Sequence, residues 1–303
     1  MPFEDQYRRQ VALLLKTIPL VAEEDCFALK GGTAINLFIR DMPRLSVDID
    51  LTYLPVQSRE QSLKTINAAM TRISDRIIEK IPGAKVTMAK AEGAIVRLLV
   101  RAGAAQIKIE VTPVLRGCVY EHDRRTVSPS VEATFGFAEM NVVSFADLYA
   151  GKIVAALDRQ HPRDLFDVRD LLANEGISDD LRRAFIIYLI SHGRPMSEVL
   201  GPTRKVITEE FLRGFEGMTE EPVALDDLIA AREAIIADVV GKMPKAHRQF
   251  LTLFERGEPD WALLGLPAAA DLPAVKWRQQ NLDSLSKEKR AALVKRLAEV
   301  LGE

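Results

Sequence analysis

The fold is decided by residues 30–51, which read KGGTAINLFIRDMPRLSVDIDL. Two adjacent glycines follow a short apolar stretch and precede a segment with helical character. Because glycine readily adopts positive φ, and because the first N–H groups of a helix have no intrahelical acceptor, this pattern predicts a tight strand-to-helix turn with exposed donors. Residues 45–54 then alternate, so that apolar side chains face one way and Asp48 and Asp50 face the other. The stretch therefore predicts a strand, a glycine turn, a helix and a second strand with two carboxylates on one face.

Hydrophobic periodicity predicts further elements around this stretch and a change of character near the middle of the chain. The predicted elements of the first half are a helix over 5–22, a helix over 60–80, and a β-hairpin of strands over 95–100 and 106–111. Beyond residue 144 the patterns are helical. We therefore predict an α+β protein with a mixed-sheet domain over residues 1–140 and an all-helical domain over residues 141–303.

Composition limits the classes of protein to consider. A chain of 303 residues corresponds to about two domains, and 48% hydrophobic with 28% charged residues is typical of a soluble globular protein. The 41 Lys and Arg against 43 Asp and Glu give a net charge of −2, which excludes a uniformly basic surface but not a local basic patch. Two cysteines are too few for a disulfide framework, and neither a secretory signal nor a transmembrane span is indicated. We expect a cytoplasmic protein.

Asp48 and Asp50 carry the strongest functional signal. At i and i+2 on a strand their Cα atoms are about 7 Å apart, so both carboxylates can hold divalent cations between them. Glu110, on a predicted neighbouring strand, is the candidate third carboxylate. Mg²⁺ binds through a few carboxylates together with substrate phosphates, and two adjacent like charges repel each other unless a cation is present. The pattern therefore indicates metal-dependent chemistry on a phosphorylated substrate.

The Gly31-Gly32-Thr33 turn would present N–H donors and a hydroxyl to a triphosphate at a helix N-terminus. Taken alone, two glycines before a helix are more often a simple turn, and a lone Asp-x-Asp on an exposed strand is more often ordinary surface. It is the combination in this order, with the acids on one face of a strand, that favours the catalytic interpretation.

Three segments resemble a known family. Residues 30–38 (KGGTAINLF) followed by 43–51 (PRLSVDIDL) resemble the first motif of the polymerase-beta-like nucleotidyltransferase superfamily and, more narrowly, the AbiEii toxin family of bacterial abortive-infection and toxin–antitoxin systems. Residues 148–172 resemble that family's lysine-containing helix and the acidic helix after it, and residues 257–285 resemble its C-terminal segment. Many members of the wider superfamily have Gly-Ser in the first motif, and Thr33 keeps the hydroxyl that serine would supply there.

The resemblance implies an enzyme that transfers a nucleoside monophosphate from an NTP to an acceptor hydroxyl and releases pyrophosphate, using Mg²⁺ or Mn²⁺. The resemblance implies that the metals are held by Asp48, Asp50 and Glu110, of which Glu110 would assist or act as base. It assigns the nucleotide to Gly31, Gly32, Thr33, Arg44, Ser46 and Lys152.

The resemblance also concerns the helical half, which would close the active-site cleft. There Lys152 would contact nucleotide phosphates, and Asp164, rather than Asp167, is the favoured candidate for substrate contact. A salt-bridged structural role is the alternative for these acids. The implied partners are an NTP donor, the 3′ end of a tRNA as acceptor, and a separately encoded antitoxin.

Two other interpretations stay open. The same chemistry would serve a small molecule or a protein hydroxyl, as in antibiotic-modifying or AMPylating relatives. A catalytically inactive binding module is a third possibility, against which the intact set of Asp48, Asp50 and Glu110 argues.

Overall fold

The computed structural model describes residues 5–303, which divide into two compact units. The first unit comprises the described part of Met1–Ser144 together with Glu216–Pro222. The second comprises Phe145–Phe215 and Val223–Glu303.

A mixed β-sheet forms the centre of the first unit. Among the described residues its seven strands are β1 (Phe27–Lys30), β2 (Asp48–Tyr53), β3 (Lys85–Ala91), β4 (Ala94–Ala102), β5 (Ala105–Arg116), β6 (Asp123–Thr126) and β7 (Glu139–Val142). Their order across the sheet is β3-β4-β5-β2-β1-β7-β6. Strand β2 runs antiparallel to β1 and parallel to β5, so the strand with the two aspartates lies in the interior of the sheet. The predicted α+β class is confirmed.

Helices cover one face of this sheet. The helices of the first unit are α1 (Asp5–Val21), α2 (Gly31–Ala34, continued by a π-helical turn over Ile35–Ile39), α3 (Arg59–Lys80) and α4 (Pro129–Phe135). Helix α1 packs on β5 and helix α3 on β3 and β4, and the stripe formed by Ile66, Met70, Ile73 and Ile77 is fully buried. The predicted helices over 5–22 and 60–80 and the predicted hairpin are confirmed, each within a few residues of the expected bounds.

Strand β2 is shorter than the alternation over 45–54 predicts, because it begins only at Asp48. The residues before it pair with a segment that is distant in sequence. Arg44 forms an isolated bridge with Thr219, and the N–H of Leu45 donates to the carbonyl of Met218 at 2.8 Å. The backbone that leads into the two aspartates is therefore held by residues 216–222, which no sequence motif marks.

The second unit is helical. Its α-helices in the described residues are α5 (Phe145–Asp158), α6 (Pro162–Asn174), α7 (Asp179–Ile190), α8 (Met196–Leu200), α9 (Thr208–Gly214), α10 (Leu225–Ile236, continued by a π-helical turn over Ala237–Gly241), α11 (Lys245–Arg256), α12 (Pro273–Asp283) and α13 (Lys287–Leu301). Two 3₁₀ turns, Trp261–Leu263 and Pro267–Asp271, precede α12. Within residues 5–303, none of the helices combines the length and the hydropathy needed to cross a lipid bilayer.

Candidate active site

Strand pairing brings the predicted acids together on one face of the sheet. Asp50 lies opposite Lys30 on antiparallel β1 and opposite Glu110 on parallel β5, while Asp48 lies opposite Lys108. Residues paired in this way point to the same side of a sheet. The face that the helices leave open therefore carries a lateral row, Lys30–Asp50–Glu110, with the Asp48–Lys108 pair two residues further along the strands.

The glycine turn packs directly against these side chains. Gly31 has φ +76°, and a Cβ at this position would overlap the Oδ2 of Asp50 and lie 3.2 Å from its Cβ. A Cβ on Gly32 would lie 2.8 Å from Nη2 of Arg44 and 3.0 Å from Oγ of Ser46. Both positions require glycine because a neighbouring side chain comes too close for a Cβ. The Asp50 carboxylate occupies this space at Gly31, and the Arg44 guanidinium occupies it at Gly32.

A buried hydroxyl ties the turn to β2. Thr33 is fully buried, and its Oγ1 donates to the backbone carbonyl of Asp48 at 2.5 Å and lies 3.0 Å from Oγ of Ser46. Arg44 is also buried, and its Nη1 donates to the carbonyl of Leu45 at 2.9 Å. These contacts hold the backbone of the turn and the start of β2 in one arrangement. In this structure the Thr33 hydroxyl therefore orients Asp48 through its backbone.

A lysine shares the face with the acids. Burial lowers the pKa of the Lys30 ammonium, and the negative charge of Asp50 and the Cys118 thiol oppose that shift. The electrostatic interaction with Asp50 agrees with the pairing of the two residues across β1 and β2. The amino group of Lys30 thus interacts with the Asp50 end of the site.

The other two carboxylates also have cationic neighbours. Nζ of Lys108 lies 3.8 Å from Oδ1 of Asp48, and the Nε of Arg97 donates to Oε1 of Glu110. Among residues 5–303, no three His, Cys, Asp or Glu side chains converge closely enough to form a metal site. Glu110 is thus on the expected face and strand, but its carboxylate is directed to Arg97.

The candidate residues of the second unit form an ion-pair cluster of their own. Nζ of Lys152 lies 2.8 Å from Oδ1 of Asp164 and 2.9 Å from Oδ2 of Asp167, and all three residues are buried. Nε of Arg159 lies 2.5 Å from Oδ2 of Asp164. Burial by itself would raise the pKa of Asp164, but the charges of Lys152 and Arg159 outweigh it and hold that pKa well below its ordinary value. The cluster joins helices α5 and α6, and the lowered pKa keeps the Asp164 carboxyl ionised.

Sequence reasoning missed several members of these clusters. Lys30, Arg97 and Lys108 are not among the residues that the sequence motifs indicate. The signals were present, because Lys30 directly precedes the glycine turn and strict alternation along the hairpin places Arg97 and Glu110 on one side. Asp167, ranked below Asp164, contacts the same ammonium.

We expect Gly31→Ala to lower both stability and activity more than Gly83→Ala. Both glycines have similar positive φ, +76° and +71°, so alanine costs each about 1–2 kcal/mol in backbone strain. Only Gly31 faces a neighbour, since nothing lies within 4 Å of the Cβ position of Gly83. Overpacking adds about 1–3 kcal/mol, and displacement of Asp50 should reduce an activity that depends on this carboxylate on the order of 100-fold.

Urea unfolding and activity assays on the two alanine variants check this prediction. If Gly31→Ala and Gly83→Ala lost stability and activity to the same extent, the close approach of Gly31 to Asp50 would have no functional consequence.

The comparisons with known proteins agree with this geometry. The sequence profile of the family described as "Nucleotidyl transferase AbiEii toxin, Type IV TA system" matches residues 13–280. Among solved structures, the chain is similar to MenT4, a nucleotidyltransferase toxin from Mycobacterium tuberculosis H37Rv, with a TM-score of 0.61 and 15% sequence identity over 97% of this chain and 93% of that one. No curated protein sequence is detectably similar to the chain. The structural likeness concerns the fold, and the family match concerns the sequence over most of its length.

Proposed function

The chain belongs to the AbiEii family of nucleotidyltransferase toxins of type IV toxin–antitoxin systems, and on that premise we propose that it transfers a nucleoside monophosphate from an NTP to a hydroxyl of an RNA in the cytoplasm. The proposed acceptor is the 3′ end of a tRNA. The observation that carries the proposal is the arrangement of Asp48 and Asp50 on one sheet face, packed against the Gly31 turn and oriented by Thr33. The first unit would be the nucleotidyltransferase domain and the second its helical partner.

The donor set fits Mg²⁺. Asp48 and Asp50 offer carboxylates from one strand face, and Mg²⁺ is typically held by one or two carboxylates with substrate phosphates completing its shell. Glu110 would join them by exchanging its pairing with Arg97 for the cation. When bound, such an ion would activate the acceptor hydroxyl and stabilise charge on the departing pyrophosphate.

The protein's own groups would position the triphosphate. The positive φ of Gly31 and the missing side chain of Gly32 let the backbone approach a ligand closely. Arg44 would bring positive charge to one side of that turn and Lys30 would place its amino group at the other, where both could offset negative charge that develops on the phosphates. Glu110 would accept the proton of the acceptor hydroxyl.

Lys152 and Asp164 enter the proposal through the family resemblance. Lys152 would contact the nucleotide phosphates, with Asp164 and Asp167 fixing the direction of its ammonium. Because the same three residues form a buried ion-pair cluster, their variants must be assessed for stability as well as for activity. The family further implies an antitoxin that counteracts the toxin.

Transfer of label distinguishes the possible acceptors. The purified protein is incubated with Mg²⁺, total RNA and each of the four α-³²P-labelled NTPs in turn, and the products are separated on denaturing gels. We expect label in a tRNA-sized band that is sensitive to ribonuclease, with a preference for one NTP. Label in protein or in a small molecule would favour AMPylation or antibiotic modification, and no label in any fraction would contradict transferase activity.

A further inference from the structure

The open face of the sheet carries a row of basic side chains beside the two aspartates. We define the cationic strip as Lys85 on β3, Arg97 and Arg101 on β4, and Lys108 on β5. The strand register places them all on the sheet face that carries Asp48. Lys108 lies directly opposite Asp48. Arg101 lies opposite Gln106, which is two residues before Lys108 on β5, and Lys85 lies opposite Arg101. The strip therefore starts at the candidate active site and runs toward the β3 edge of the sheet.

The two halves of the strip differ in their partners. Arg97 and Lys108 pair with the acids of the site, although their side chains remain 51% and 43% exposed. Lys85 and Arg101 are exposed, and among the described residues neither has an acidic partner. Nε of Arg101 donates only to the neutral amide oxygen of Gln106, at 2.7 Å. The outer half of the strip thus presents positive charge that no acidic side chain of residues 5–303 neutralises.

The distance from the acids suits an extended acceptor. Strands lie about 4.8 Å apart and two residues span about 6.7 Å along a strand, so the backbone positions of Arg101 and Lys85 lie about 12–16 Å from Asp48. That is too far for them to hold the reacting phosphorus while Asp48 holds its metal. A polyanion whose end lies at Asp48 and Asp50 could, however, extend far enough to contact Arg101 and Lys85.

The chemistry of the strip indicates backbone recognition. Its neighbours on the same face of β3, β4 and β5 are Thr87, Ala89, Leu99 and Gln106, so these strands, as the structure describes them, offer no aromatic side chain there on which a base could stack. When Lys and Arg side chains contact phosphates, the affinity for the nucleic acid falls as the salt concentration rises and depends little on the nucleotide sequence.

We propose that the cationic strip binds the phosphate backbone of the RNA acceptor just upstream of its reacting 3′ end. This inference rests on the proposed function, because it takes the acceptor to be an RNA.

The test compares two double variants with equal changes of net charge. Lys85→Glu/Arg101→Glu reverses the outer strip and leaves Arg97 and Lys108 in place. The matched control, Lys16→Glu/Lys64→Glu, reverses exposed lysines on α1 and α3, the helices that cover the opposite face. Binding of a 3′-labelled tRNA is measured over a range of salt concentrations, together with NTP binding and thermal unfolding.

We expect the strip variant to bind tRNA at least tenfold more weakly than the control variant, with unchanged NTP affinity. Two lost contacts to single-stranded phosphates should reduce the slope of log K against log salt by about 1.4. The milder variant Lys85→Gln/Arg101→Gln should show a smaller loss in the same direction, which keeps the test valid if charge reversal impairs folding.

Two results would overturn the inference. Equal weakening in the strip and control variants would show that net charge alone matters, and a loss of NTP affinity instead of tRNA affinity would assign the strip to the triphosphate. Failure of the proposed function looks different: the wild-type protein itself would then place no label in RNA. Wild-type labelling of tRNA that survives unchanged in the strip variant would overturn this inference alone.

Discussion

Asp50→Asn is expected to reduce nucleotidyl transfer at least about 1000-fold, which corresponds to about 4 kcal/mol of transition-state stabilisation. Asparagine keeps the size of the side chain and therefore the packing against Gly31, but it removes the negative charge that a divalent cation requires. Metal ions contribute several kcal/mol to such reactions through charge stabilisation. The variant should also lose the growth inhibition that expression of an active toxin causes.

The matched control is Asp75→Asn, on the exposed surface of α3. It makes the same chemical change in the same unit and should leave transfer within a factor of two. Thermal unfolding of Asp75→Asn should match the wild type. Asp50→Asn loses the attraction to the neighbouring Lys30 together with the repulsion from Asp48, so its unfolding is measured beside its activity to show that the variant is folded. Full transfer activity in folded Asp50→Asn would exclude this face as the catalytic centre.

Lys152→Met is expected to destabilise the protein by about 3–5 kcal/mol, since it removes the cation that the buried Asp164 and Asp167 share and leaves Arg159 as the cation beside Asp164. Both Asp164 and Asp167 are almost inaccessible to solvent, so water cannot replace the lost ammonium. Lys295→Met, an exposed lysine on α13 in the same unit, should change the stability by less than about 0.5 kcal/mol. The measurement is the urea midpoint of unfolding, followed by circular dichroism.

The pH dependence of the free energy of unfolding tests why Lys152→Met loses stability. In the wild type the pKa of Asp164 lies below its unfolded value of about 3.9, so its contribution to stability is complete above that value and is lost as pH falls below it. Lys152→Met removes one of the two charges that lower the pKa of Asp164, so burial raises that pKa relative to wild type and the variant gains stability relative to wild type as pH falls from 7 toward 4. A stability gap that stays constant over this range would show that Lys152 contributes by packing rather than by charge.

Local patterns predicted much of the first unit. The alternation around Asp48 and Asp50 fixed a strand and its polar face, and the hairpin and the two long helices followed from periodicities of two and 3.6 residues. Strand β3 has almost no buried side chain, so no hydrophobic alternation marked it. The early part of the predicted strand over 45–54 instead pairs with residues 216–222, a contact across more than half the chain that local pattern cannot encode.

Some features of the candidate site could likewise be predicted from local sequence, and others depend on the tertiary structure. That Asp48 and Asp50 share a face follows from the pleat of a single strand. That Lys30 lies opposite Asp50 depends on which strands become neighbours, which is set by the topology of the whole sheet. The contact between Lys152 and Asp167 likewise depends on how α5 and α6 pack, so helical spacing identified the shared surface of Asp164 and Asp167 but not the cation between them.

The most direct test of the central claim follows the α-phosphate and the γ-phosphate of the NTP donor into the products. The protein is incubated with Mg²⁺, tRNA and the preferred NTP, labelled with ³²P either at the α- or at the γ-phosphate, in parallel with Asp50→Asn. The account predicts that α-label appears at the 3′ end of the tRNA, that γ-label appears only in pyrophosphate, and that Asp50→Asn yields neither product. Transfer of γ-label to the acceptor, or α-label transfer that persists in Asp50→Asn, would contradict it.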